Sequence, residues 1–158
     1  MATEKTGLAG QVNMVLRDKY GYIKEERSGP NTVVNGGIGE IVQLAAGTGG
    51  DAFTHIAIGT GTTTATVTDT TLEAEIDSNG GGRAASSVTA EEENTANDTI
   101  QLASTWSSFS GELSIAESGV FNDASTGDML CRQTFTALAV DDGDSLTITW
   151  RVTLDQAP

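Results

Sequence analysis

Ser145-Leu146-Thr147-Ile148-Thr149-Trp150-Arg151-Val152-Thr153-Leu154 is the stretch that sets the fold class. Leu146, Ile148, Trp150, Val152 and Leu154 alternate with Thr147, Thr149, Arg151 and Thr153. Period two puts the apolar side chains on one face of a β-strand and the polar ones on the other, whereas a helix would scatter them around its axis. The stretch reads as a half-buried strand with one face on a core.

Upstream, Asp141-Asp142-Gly143-Asp144 supplies a short hairpin loop to a strand over 129–140. Further strands are expected over 112–121, 98–106 and 83–91, with Ile100, Leu102 and Trp106 on one face of 98–106. Trp106 and Trp150 both fall on apolar strand faces and are expected in the core. Phe53 to Ile58 forms an apolar strand ending in Gly59-Thr60-Gly61, followed by a Thr-rich loop over 62–71. Leu72 to Ile76 fits one helical turn or a short strand, and Asn79-Gly80-Gly81-Gly82 is a turn. Residues 8–27 read as a hairpin: Val12, Met14 and Leu16 alternate along one strand, Asp18-Lys19-Tyr20-Gly21 turns, and Tyr22 to Glu25 runs back. Ser28-Gly29-Pro30-Asn31 is expected to break it.

The one helix is expected over 36–46. Ile38, Ile41, Val42 and Ala45 share a face, and Gly47 stands where a left-handed cap belongs. At about three turns it needs tertiary packing to persist. The fold expected is therefore mainly β: an antiparallel β-sandwich or a partly closed, jelly-roll-like barrel, with one short α-helix. Residues 1–158 form a single domain, with 1–10 available as an extended arm.

The chain has 158 residues, enough for one domain that buries about 70% of its unfolded surface without metal or disulfide. Its 22 acidic and 8 basic residues give a net charge of −14. No basic stripe for nucleic acid is present, and an anionic membrane surface would repel the chain, so neither is expected as a partner. The acid-rich, Lys-poor composition fits either a salt-loving host, where molar salt screens like charge, or plain solubility. Cys131 is the only cysteine, so no intrachain disulfide forms. Met1 to Gly10 lacks an apolar signal region and no stretch is long and apolar enough to span a membrane, so synthesis in the host cytoplasm is expected.

Few residues invite chemistry. Gly59-Thr60-Gly61 follows a strand, but no third glycine opens a helix and no Gly-Lys-Ser/Thr follows, so it reads as a turn. His55 is the only histidine; paired with Cys131 it would make a nucleophile and base, though a buried Cys more often acts as a small hydrophobe. Asp141, Asp142 and Asp144 have the composition of a Ca²⁺ loop without its full ligand spacing, and turn chemistry explains them better. Glu91-Glu92-Glu93 reads as a solvated strand end, and Asn97-Asp98-Thr99 is a glycosylation sequon. If the strand face carrying Glu117 is buried, that carboxylate needs a partner, with Arg132 or Arg83 the candidates. No catalytic, cofactor-binding or metal-binding residue is assigned.

Taken in order, several segments resemble a family of small virion structural proteins of tailed phages and tailed archaeal viruses. They are Gly10-Gln11-Val12 to Asp18-Lys19-Tyr20-Gly21, Asn31-Thr32-Val33-Val34-Asn35-Gly36-Gly37, Ile56-Ala57-Ile58-Gly59-Thr60-Gly61 and Asp69-Thr70-Thr71-Leu72. Then follow Ile115-Ala116-Glu117-Ser118-Gly119-Val120-Phe121, Met129-Leu130-Cys131-Arg132-Gln133-Thr134-Phe135 and Gly143-Asp144-Ser145-Leu146-Thr147-Ile148-Thr149-Trp150. Together they span most of the chain. The resemblance implies a non-enzymatic particle component with no catalytic residues and no cofactor. Its partners would be further copies of itself and other virion proteins, the major capsid protein foremost. The expected role is a capsid decoration or turret subunit of the virion, holding the shell through symmetric, ring-closing contacts. A tail, baseplate or fibre component with an exposed loop at 60–71 or 78–84 is the alternative, and a carbohydrate-binding or hydrolytic module the third. The last needs aromatic platforms, against which an aromatic content of 5% counts.

Overall fold

The computed structural model describes residues 6–156. Two five-stranded antiparallel sheets pack face to face, which makes the fold a β-sandwich and not a closed barrel. The strands are β1 (Thr6–Arg17), β2 (Ile23–Pro30), β3 (Thr32–Val33), β4 (His55–Gly59), β5 (Ala84–Ala85), β6 (Ser87–Glu91), β7 (Thr99–Trp106), β8 (Leu113–Phe121), β9 (Met129–Val140) and β10 (Ser145–Gln156). The helix α1 spans Asn35–Ala46. One sheet runs β2-β1-β10-β7-β6 and the other β3-β9-β8-β4-β5.

The decisive strand behaves as its alternation dictates. Leu146, Ile148, Trp150 and Val152 are fully buried, flanked on the same sheet face by Val12, Met14 and Leu16 of β1 and by Leu102 and Trp106 of β7, in one core. Leu154 departs from the pattern at 41% exposed, two residues before the strand ends at Gln156. Both indoles are buried and satisfied: Trp150 Nε1 donates to Ser118 Oγ at 3.3 Å and Trp106 Nε1 to the Gly82 carbonyl at 2.7 Å.

Three local readings are corrected. Ser28-Gly29-Pro30 does not break the hairpin, since β2 continues to Pro30, opposite Gln11. The strand lies at the sheet edge, where the missing proline N–H costs no ladder bond. Leu72 to Ile76 forms neither a helical turn nor a named strand; Glu75 makes an isolated bridge to Gly59. Of the segment 1–10, Thr6 to Gly10 pair with β10, and residues 1–5 lie outside the described residues.

The helix forms where the sequence places it and ends at Gly47 with a φ of 65°. Its packing follows its pattern only at Ile41, which lies against the core. Ile38, Val42 and Leu44 point to solvent, and the buried positions are Gly37 and Glu40. Gly37 lies against the backbone of Leu130 so closely that an added Cβ would sit 2.5 Å from the Leu130 carbonyl oxygen. Glu40 Oε2 accepts from the Asp51 N–H at 3.0 Å and from Asn122 Nδ2 at 3.2 Å. A short helix with no side-chain N-cap and glycines at 36, 37 and 39 has little intrinsic stability, each glycine costing about 1 kcal/mol against alanine. These few inward contacts hold it.

Candidate functional site

The outer face of the β4-β8-β9 sheet carries the most developed polar cluster, built around Glu117 and Arg132. Register explains why they meet. Gly59, Glu117 and Thr134 lie in one row across the sheet, and Ala57, Gly119 and Arg132 in another, so their side chains share a face. Bulges in β8–β9 pairing at Ile115/Glu117 and Val120/Phe121 let the same strands also send Ile115, Leu130 and Cys131 into the core. Loop 60–76 then folds across this outer face, its Leu72 packing with Ala57, Phe121, Met129 and Val34.

The Glu117 carboxylate is fully buried and surrounded by donors. Oε1 accepts the Gly61 N–H at 3.1 Å and the Ala74 N–H at 2.8 Å. Oε2 accepts the Glu73 N–H at 3.0 Å and Arg132 Nε at 2.9 Å, with Arg132 Nη2 at 2.8 Å. Gly59-Thr60-Gly61 therefore has a role that its sequence reading as a plain turn missed. A Cβ on Gly59 or Gly61 would stand 2.4 or 2.6 Å from Glu117 Oε1, so only glycine lets the backbone close over the carboxylate. A buried glutamate in an apolar strand was the available signal, but the sequence could not show which amides it would gather.

Arg132 spends its remaining donors on the same loop. Nη1 binds Asp69 Oδ2 at 2.8 Å and Nη2 the Thr63 carbonyl at 3.0 Å. Burial alone would depress the guanidinium pKa; Asp69 and Glu117 outweigh it and hold it above its ordinary range. Glu73, held low by the Thr63 N–H and hydroxyl, closes the loop's far side. With its acceptors and donors all engaged, this pair works as a staple that fixes 60–76 to the sheet. Arg83, the other candidate partner for Glu117, is a second staple elsewhere. It forks onto Glu75 at 2.6 and 3.0 Å, donates to the Asp123 and Thr126 carbonyls, and stacks 3.7 Å over the Phe121 ring.

The remaining sequence candidates do not converge. Cys131 faces the core, its thiol pushed up by burial, and the neighbouring row carries His55 to the opposite face of the sheet. His55 Nδ1 lies 2.9 Å from Thr54 Oγ1, so the two do not form a nucleophile–base pair. Asp141 and Asp144 close on Lys24, whose Nζ is 2.7 and 2.5 Å from their Oδ2 atoms, so a cation of the chain already sits between them. Asp142 instead accepts the Gly111 N–H at 3.0 Å. Among the described residues no group of three or more His, Cys, Asp or Glu is placed to hold a metal ion. Glu91, Glu92 and Glu93 stand at a strand end as expected, Glu93 paired with Arg151 at 3.0 Å. In the sequon, Asn97 is exposed, but the Thr99 hydroxyl is buried against Thr153 at 2.8 Å.

Several carboxylates serve as loop clasps, and this gives the fold a pH dependence. Burial opposes ionisation of Asp69, but the Thr66 N–H and Arg132 outweigh it and hold its pKa low. Asp98 is lowered chiefly by the Thr95 N–H, and Asp123 by the Thr126 and Ser125 N–H groups down to about 2. A carboxylate with a lower pKa when folded stabilises the fold above its unfolded value of about 4, and that contribution is lost as pH falls through the folded value. In molar salt, which removes the opposing relief of like-charge repulsion, the melting temperature is expected to hold down to about pH 5 and to fall from about pH 4 toward 2. Circular-dichroism melts would show this; a rising melting temperature over that acid range would contradict it.

No protein-family model matches the chain, and no curated protein matches it either.

Proposed function

We propose that the chain is a non-enzymatic structural subunit of a tailed virus particle, a capsid decoration or turret protein that stabilises the shell through symmetric contacts with its own copies and with the major capsid protein. The observation that carries this reading is the use made of its buried charge. Arg132 and Arg83 tie down the long connections 60–76 and 122–128, and Glu117 is consumed by backbone amides and Arg132. Such staples give rigid surfaces of fixed shape, which repeated contact in a shell requires. The order of segments resembling small virion proteins supports the same reading. The acidic surface would favour contact with a shell surface that carries no net negative charge.

The tail or fibre reading retains one observation of its own. Tyr20 and Tyr22, at the tip of the β1–β2 hairpin, are 75% and 73% exposed beside Ile23, an aromatic tip suited to contact with another body. Gold-labelled antibody against the chain, applied to intact particles, separates the cases. Label spread over the shell supports the decoration reading, label confined to the tail favours the alternative, and particles without label would refute both.

A further inference from the structure

Most of the apolar stripe of α1 stays open: Ile41 packs against the core, while Ile38, Val42 and Leu44 remain exposed. Ile38 and Val42 form a ridge 44% and 59% exposed. Beside it, Ile41, Leu44, Ala45, Phe53, Val88 and Ile100 line a groove of about 430 Å³ between the helix and the β6–β7 edge. The pattern that marks α1 as amphipathic is therefore met within the chain only in part, at Ile41. The strip is also neutral: from Val34 to Gly50 the one charged residue is Glu40, and it is turned inward.

We propose that this face pairs two copies of the chain about a two-fold axis, the Ile38–Val42 ridge of each lying in the groove of the other. Charge selects the occupant. Copies bearing −14 repel one another wherever their acids face, so an uncharged apolar strip is where they can close. A basic partner would gain nothing from a strip that offers it no carboxylate. Ridge and groove stand side by side on one face, as a self-complementary two-fold contact requires. Pairing would also bury the exposed side of a helix whose glycines leave it intrinsically weak. The inference goes beyond the particle reading and does not depend on it.

Sedimentation velocity of the full chain, from micromolar to hundreds of micromolar and in dilute and molar salt, tests the pairing. The expected result is a monomer–dimer equilibrium that shifts toward dimer as salt screens the like charge. Val42→Glu should weaken pairing roughly tenfold or more, and Leu44→Ser should weaken it in the same direction, each with an unchanged circular-dichroism spectrum. Tyr20→Glu, on the distant hairpin tip, should leave it unchanged. A chain monomeric throughout, an oligomer larger than a dimer, association that weakens with salt, or pairing unaffected by both α1 variants would each overturn the proposal.

Discussion

Arg132→Met is expected to lower the unfolding free energy by about 3–5 kcal/mol, the usual cost of removing one member of a buried ion pair. The Arg132 side chain is 3% exposed, and its loss leaves Glu117, 0% exposed, without its counter-ion. It also takes the guanidinium donors away from the Thr63 carbonyl and from Asp69, which keeps only the Thr66 N–H and hydroxyl. The effect should fall first on loop 60–76. Hydrogen exchange at the Gly61, Glu73 and Ala74 amides should speed up before the β1–β10 amides do, because those three donate to the carboxylate that Arg132 holds. Arg132→Lys should recover little of the loss, since a single ammonium cannot fork between Glu117 and Asp69. Urea unfolding that shows less than about 1 kcal/mol of loss for Arg132→Met would mean that the loop is held by its other contacts and that Arg132 is not its staple.

Gly37→Ala is expected to destabilise the fold by about 1–3 kcal/mol, while Gly36→Ala and Gly39→Ala in the same helix stabilise it by about 0.5–1 kcal/mol. Propensity favours alanine at all of these positions. Position decides the sign. A Cβ at 36 or 39 meets nothing within 4 Å, but at 37 it would lie 2.5 Å from the Leu130 carbonyl oxygen and 2.7 Å from the Leu130 Cα. Those are backbone atoms beside the β8–β9 bulge at Val120/Phe121, and they cannot swing aside as a side chain can. Thermal melts of the three single variants check the ordering. If Gly37→Ala were as stabilising as its neighbours, the helix would not be seated on β9 as described.

Most of the fold was legible because it follows from period-two patterning and turn residues, which are local. The strands over 98–106, 129–140 and 145–154, the hairpin with its Asp18–Gly21 turn and the helix end at Gly47 all depend on neighbours in sequence. What was not legible depends on pairing across the sheet. That Gly59-Thr60-Gly61 cradles a carboxylate requires β4 to lie beside β8 in a fixed register. That α1 leaves Ile38 and Val42 exposed goes with the contact of Gly37 with Leu130, some ninety residues away in the numbering. Glu117 was the one site residue whose need for a partner showed in the sequence, because a carboxylate on a buried strand face has few alternatives.

The proposed particle role rests on the stapled loops and on the order of the segments that resemble small virion proteins. Mass spectrometry of purified particles, with copies per particle counted from quantified peptides, tests the structural role most directly. The account predicts many copies in a simple ratio to the main shell protein. A few copies in a multiple of three or six would move the chain to the tail, and absence from the particle would contradict the account.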